Sequence, residues 1–171
     1  MKNLSLIAAI GENRELGYKK ELLYHIREDL MFYKKMTMGK NIIMGRVTLE
    51  SMPKSALIGR HPIVLTRSSI RDDDKIKYFN DIDKLLDEIS NSKEDYMVVG
   101  GATIYKEFIE YVDTMYLTTI YDKKEVLADC YFPEFNIEDW YINLLIEGID
   151  KDITYKIREY HRKRLGLVNF M

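Results

Sequence analysis

Short apolar runs recur along this chain at the length of a β-strand, and they constrain its fold more than any other feature. Leu4 to Ile10, Asn41 to Met44, Pro62 to Thr66 and Tyr96 to Val99 are almost uninterrupted by polar side chains. A strand with one wet face alternates, whereas a run that is apolar throughout is covered on both faces, the condition of a parallel sheet between helices. The intervening segments supply those helices. Ile26 to Met36 places Asp29, Phe32, Tyr33 and Met36 at i, i+3, i+4 and i+7, and Asp81 to Ile89 is amphipathic with Asn80 or Asp81 as its cap. Ala102 to about Val112 carries Ile104, Tyr105, Phe108 and Val112 on one face, and Met115 to Ile120 reads as a fifth strand. Gly11 to Gly17 reads as a polar loop. Trp140 to Ile146 and Ile153 to Tyr160 are closer to alternating, and the link Gly148 to Asp152 between them suggests an antiparallel hairpin. The expectation is an α/β fold in one domain spanning 1–171: a mixed, mostly parallel central sheet with flanking helices and a C-terminal antiparallel hairpin. Its core runs from about 4 to 160, and an apolar tail at 165–171 has no role that the sequence states.

Composition excludes several classes of function. A chain of 171 residues with an apolar share of 46% can bury a substantial core, about 70% of its unfolded surface. The single cysteine, Cys130, excludes an internal disulfide and suits a reducing cytoplasm. It has no neighbour that would mark it as a nucleophile, and with three scattered histidines there is no metal-ligand spacing. No apolar run approaches transmembrane length and no signal segment is evident. A net charge of −2 argues against nucleic acid as a partner. Asp72 to Asp74 and His161 to Arg164 read as solvated stretches.

One carboxylate stands out. Asp29 shares a helix face with Phe32, Tyr33 and Met36, while Glu28 points elsewhere. An ionised carboxylate among apolar side chains is costly unless a cation or strong donor meets it, and a ligand with two parallel N–H groups would do so. The alternative is a helix rotated so that Asp29 faces water. Three strand ends bear on the choice, because ligands of open α/β sheets sit beyond the carboxyl ends of strands. Gly45-Arg46-Val47-Thr48 opens a short helix with a cation and a hydroxyl. Thr66-Arg67 offers an arginine that could hold a 2′-phosphate. Gly100-Gly101-Ala102 would let a pyrophosphate approach the backbone. Each turn alone is equally an ordinary cap or tight turn; together they point to a phosphorylated cofactor. None matches the Gly-x-Gly-x-x-Gly or Walker patterns.

In these segments the chain resembles dihydrofolate reductase. Ser5-Leu-Ile-Ala-Ala-Ile10 with Asn13-Arg-Glu-Leu-Gly17 is similar to that family's first strand and mobile loop. Thr37-Met-Gly-Lys-Asn-Ile-Ile-Met-Gly-Arg-Val-Thr-Leu-Glu-Ser51 is similar to its most recognisable stretch. Met97-Val-Val-Gly-Gly-Ala-Thr-Ile-Tyr105 looks like its second cofactor turn, and Tyr116-Leu-Thr118 and Asp129-Cys-Tyr-Phe-Pro133 like its late segments. The resemblance runs from about Leu4 to Tyr160.

The resemblance implies NADPH-dependent reduction of 7,8-dihydrofolate to 5,6,7,8-tetrahydrofolate by hydride transfer from nicotinamide C4 to pterin C6, with N5 protonated. It implies that Asp29 grips the pterin and that Thr118 supports it, with Tyr24 as the third catalytic position. Ile7, Ala8, Leu22, Phe32, Tyr33, Met52, Leu57 and Val99 would contact the folate, and Arg60 would pair with the α-carboxylate of its glutamate tail. Ala9, Ile10, Leu16 and Gly17 would lie along the nicotinamide side. Gly45, Arg46, Val47, Thr48, Leu65, Thr66 and Arg67 would hold the adenosine phosphates, with Gly100, Gly101, Ala102, Thr103, Ile104 and Tyr105 at the pyrophosphate and nicotinamide. The Gly100–Gly101 bond is expected to be cis. No metal is implied, antifolates are expected ligands, and the protein is expected to be a cytoplasmic monomer.

This chain also departs from the family's pattern. Leu23-Tyr24 stands where Pro-Trp is usual, Arg27 and Ile58 where prolines are common, Leu49 where an aromatic residue is frequent, and Ala128 where a glycine precedes the Asp129 position. These substitutions bear on rate and antifolate affinity. A reductase of the same fold acting on another heterocycle, such as the riboflavin-pathway pyrimidine reductases, and a non-catalytic NADPH-binding protein are the other readings. Asp29 with Arg60 argues against the first, and only Leu23-Tyr24 favours the second.

Overall fold

A computed structural model of the protein describes residues 1–19, 21–68 and 72–164; the tail singled out above lies outside them. In chain order the strands and helices are β1 (Leu4–Gly11), β2 (Glu15–Tyr18), β3 (Glu21–Leu22), α1 (Arg27–Thr37), β4 (Asn41–Gly45), α2 (Arg46–Ser51), β5 (His61–Leu65), β6 (Lys77–Phe79), α3 (Ile82–Ser90), β7 (Tyr96–Gly100), α4 (Ala102–Phe108), β8 (Thr114–Tyr121), β9 (Cys130–Tyr131), β10 (Trp140–Asp150) and β11 (Ile153–Arg162). An 8-stranded sheet runs β10-β11-β8-β1-β7-β4-β5-β6. From β8 to β6 all neighbours are parallel, while β11 joins antiparallel to β8 and to β10. This is the mixed, mostly parallel sheet with a terminal hairpin that the apolar runs predict.

Strand alternation divides the core into two layers. Leu4, Leu6, Ala8, Ile10, Ile43 and Val98 face α3 and α4, where Leu85, Ile89, Ile104 and Phe108 close the layer. Ile7, Ile42, Met44, Val64, Met97 and Val99 face the other way, against Phe32, Tyr33 and Met36 of α1 and Leu49 of α2. The first layer is sealed, whereas the second is walled by half-buried side chains. The cleft therefore opens on the second face. Asp81 caps α3 by accepting from the Asp83 N–H at 2.9 Å.

Three local expectations change. The polar loop is partly a strand: β2 pairs with β3 and with β9, because the left-handed Arg14 (φ 65°) folds the chain back and its carbonyl accepts from the Phe132 N–H at 2.8 Å. The hairpin link shortens, since Gly148, Ile149 and Asp150 remain in the ladder opposite Tyr155, Thr154 and Ile153. Lys151 and Asp152, both at positive φ, form a two-residue turn of the kind that matches strand twist. A side chain at Gly148 would put its Cβ 2.5 Å from the Tyr155 hydroxyl, so only glycine lets this ring lie across the strand. Finally, α4 stops at Phe108, and Val112 reaches the core from the turn that follows. The edge strand β6 was not among the apolar runs, being three residues long and half-buried.

Phe108 is fully buried between α4 and the sheet. Phe108→Ala is expected to cost about 3–5 kcal/mol in equilibrium urea unfolding. A loss below about 1 kcal/mol, within the range of surface substitutions, would show that this layer repacks and is not the sealed core described.

Candidate active site

The site begins where two strands part. The β1–β7 ladder pairs Leu4 with Tyr96, Ser5 with Met97 and Leu6 with Val98, and goes no further although both strands continue. Beyond it the buried Tyr105 hydroxyl lies 2.8 Å from the Ile7 carbonyl and 2.9 Å from that of Val99, its one proton shared between two acceptors. Burial pushes the Tyr105 phenol far above its ordinary range, so it remains a donor. The crevice thus lies at the carboxyl ends of the parallel strands, where open α/β sheets bind ligands.

Asp29 sits on this side of the sheet. Thr118, 2% exposed on β8, donates its hydroxyl proton to Asp29 Oδ1 at 2.5 Å. Burial raises the Asp29 carboxyl above the usual carboxylate range, and the Thr118 bond partly opposes that shift. Among the described residues no cation pairs with Asp29. Its second oxygen therefore has no protein charge to meet.

The helix carrying Asp29 is held at both ends. Its N-cap, Ile26, has no side chain able to cap, and the Asp150 carboxylate of the hairpin instead accepts from the Arg27 N–H at 3.3 Å. One residue on, the Tyr155 hydroxyl donates to Glu28. At the other end Arg60 donates from Nε to Thr37 Oγ1 at 3.1 Å and from Nη2 to the Lys34 carbonyl at 3.4 Å, a cation matched to a helix C-terminus. Arg60 Nη1 reaches the Ile58 carbonyl at 2.9 Å. Three of its five donors are thereby used and its fork is fixed.

Ile7, Phe32, Tyr33, Met52, Leu57 and Val99 gather in one apolar cluster beneath the cleft. The Tyr33 hydroxyl is buried there without a partner, its pKa pushed up to about 12 by burial against the lowering effect of Arg60. The side chain of Ala8 lies in the opposite layer with Ile10 and Leu16, so these residues offer the cleft at most their backbone. Ala9 packs with Tyr24, Ile26 and Phe32. The side chain of Leu22 lies outside the described residues. Tyr24, from the unusual Leu23-Tyr24 pair, has a buried hydroxyl without a partner; burial, then the charges of Asp122 and Glu15, push its pKa up to about 12.

The glycine turns meet each other. The Gly100–Gly101 peptide is cis, with Gly100 at φ +130°. A Cβ at Gly101 would fall 3.2 Å from Thr48 Oγ1 and one at Gly45 3.2 Å from Ile104, so these four positions are neighbours. Ala102 and Thr103 follow in the first turn of α4; Leu65 ends β5 paired with Gly45, and Thr66 follows it. Arg46 is exposed and loosely paired with Glu50 at 3.2 Å, Val47 is exposed, and Arg67 is exposed with no ion pair among the described residues. An exposed i,i+4 pair holds its arginine weakly. Gly17 belongs to a strap: its carbonyl accepts from the Asp129 N–H at 3.0 Å, and Asp129 accepts from the Lys19 N–H at 2.9 Å.

Tyr116, Asp150 and Tyr155 join the site in the structure alone. Tyr116 meets Phe32 edge-on at 5.9 Å in the cleft cluster. Its two-residue offset from Thr118 places both on one strand face, a signal that was available. Asp150 and Tyr155 act from a hairpin more than a hundred residues from α1, and nothing local marks them.

Because folding raises the Asp29 pKa, the native chain binds its proton more readily than the unfolded chain. That contribution to stability is greatest below the ordinary carboxylate range and is lost as pH rises through the folded value. Asp29→Asn is therefore expected to raise the urea midpoint of the ligand-free protein at pH 7, with the gain vanishing in acid. An unchanged or lower midpoint at pH 7 would show that the carboxylate is not under strain.

Comparison with known proteins bears on the same residues. The family model of dihydrofolate reductase matches residues 3–162. The dihydrofolate reductase of Buchnera aphidicola subsp. Acyrthosiphon pisum (strain APS) is 38% identical over 148 residues, covering 83% of this chain and 86% of the relative. That of Bacillus subtilis (strain 168) is 35% identical over 137 residues, 80% of this chain and 79% of the relative. A solved dihydrofolate reductase from Enterococcus faecalis, complexed with NADP(H) and RAB-propyl, superposes with a TM-score of 0.82 at 26% identity over 94% of this chain and 96% of its own. With a half-buried carboxylate at the crevice and these likenesses over nearly its whole length, the chain belongs to the dihydrofolate reductase family.

Proposed function

We propose that this chain reduces 7,8-dihydrofolate with NADPH and that Asp29 is the group on which the substrate is anchored. The observation that carries this reading is a half-buried carboxylate with one protein hydrogen bond and no cation. A pterin presents the complement, an exocyclic amino group and a ring N–H side by side, which a carboxylate meets with both oxygens. NADPH would supply the hydride from nicotinamide C4.

The chain's own residues do the rest. Thr118 orients the carboxylate, and its bond favours the charged form against the burial that disfavours it. Ile7, Phe32, Tyr33 and Val99 wall the pterin and exclude water, which strengthens each polar contact left inside. Arg60 keeps two N–H groups uncommitted for the glutamate carboxylate. The turns at Gly45–Thr48 and Gly100–Gly101 stand close enough to flank one pyrophosphate, and the absence of a Cβ at Gly101 leaves the Thr48 hydroxyl accessible. The Tyr24 hydroxyl, buried and protonated, would hold a water for protonation at N5. The Asp129 strap would close the loop over the substrate. The same reading makes the protein a cytoplasmic monomer, and antifolates with the pterin's donor pattern would compete for Asp29.

Asp29→Asn is expected to lose most dihydrofolate-dependent NADPH oxidation near neutral pH, followed by absorbance, while cofactor affinity by fluorescence titration is nearly unchanged. Wild-type turnover in this variant would remove the anchoring role. Arg67→Ala is expected to narrow the preference for NADPH over NADH in kcat/KM; an unaltered ratio would place 2′-phosphate recognition on another residue.

A further inference from the structure

Beside α1 a groove of about 1040 Å³ separates the helix from the β10–β11 hairpin, with Phe32 standing between it and the Asp29 cleft. Small-molecule pockets run to roughly 300–1,000 Å³, so the space is sufficient for a compact ligand. Its floor is apolar: Met31 and Phe32 on the helix, Leu145, Ile146 and Ile149 on the hairpin. Met31 is 60% and Ile149 72% exposed, so both are accessible to a ligand.

The charges at the rim are unequal in their commitments. Both acids keep their charge and are held by neutral donors, Glu28 by the Tyr155 hydroxyl and Asp150 by the Arg27 N–H. The cations Arg27, Lys35 and Lys151 form no ion pair among the described residues. Asp29, Thr118 and Tyr33 do not line this space.

We propose that this groove is a second ligand site, distinct from the Asp29 cleft, for a small organic anion with a flat apolar body. The body lies on the exposed methyl groups, and the anionic end lies among Arg27, Lys35 and Lys151. The three cations of the rim outnumber its two carboxylates, which favours an anion over a cation, and the apolar floor gives a simple inorganic anion nothing to cover. Because Arg27 and Glu28 bond the hairpin beside Asp29, occupancy here bears on the helix turn that carries the carboxylate.

The test uses the NADPH-saturated protein, selectively labelled at Met, Leu and Ile methyls, titrated with 2-naphthoate and with its neutral analogue 2-naphthamide by NMR. The expected result is that naphthoate saturably shifts Met31, Leu145, Ile146 and Ile149, and that naphthamide binds far more weakly. The double variant Lys35→Ala/Lys151→Ala, confined to exposed side chains, is expected to weaken naphthoate by about fivefold or more. Equal binding of the amide, an unchanged affinity in the double variant, shifts confined to Met52, Leu57 and the Asp29 cleft, or no saturable shifts would each overturn the proposal.

Discussion

Everything in the site follows from the point at which β1 and β7 cease to pair. Up to Leu6 and Val98 the two strands pair with each other; one residue later the buried Ile7 and Val99 no longer pair across this ladder, and their carbonyls turn to another donor. Unpaired, each would cost about 1–3 kcal/mol. The Tyr105 hydroxyl meets both, and Tyr105 is placed there by α4, whose first turn binds its N–H to the Gly101 carbonyl at 2.9 Å. The cis glycine turn, the start of α4 and the opening of the sheet are therefore parts of one arrangement. A crevice can exist in an otherwise continuous core because a single phenol replaces the missing strand contacts.

On the other side of that crevice, the position of a single carboxylate depends on clamps from distant parts of the chain. Helix α1 lacks a side-chain cap of its own, and its acidic first turn is held by the hairpin while its last turn is held by Arg60. Both clamps agree with the helix dipole or with the orphan backbone groups at its ends. Burial of Asp29 opposes folding of the empty protein, and on the proposed reading the ligand relieves that opposition. That reading sets stability and substrate recognition against each other at one residue, a common feature of functional sites.

The parallel layers were legible because burial on both faces leaves an unmistakable apolar run, as at Leu4 to Ile10 and Tyr96 to Val99. The cap of α3 was legible because Asp81 acts on its own helix. Strand β2 was not, since its pairing with β9 joins residues over a hundred positions apart through ladders only a few residues long. The hairpin was read with too long a turn because Gly148 resembles a turn residue, whereas its lack of a side chain serves the Tyr155 ring across the strand. Within the site, the face bearing Asp29 could be read from helical spacing, but the choice between a buried and a rotated face could not. Its partner Thr118 came into view only through family resemblance, and Tyr155 not at all.

By itself the sequence determined the two-sided burial of the central strands, the helices between them and the apolar face on which Asp29 lies, because these are periodicities of contiguous residues. Only the tertiary structure decided which carbonyls β1 and β7 leave open, which hydroxyls meet them and Asp29, and how the hairpin caps α1. Those contacts join segments as far apart as Arg27 and Asp150. Local spacing carries no record of them, since a hydrogen bond between distant segments depends on how whole elements pack.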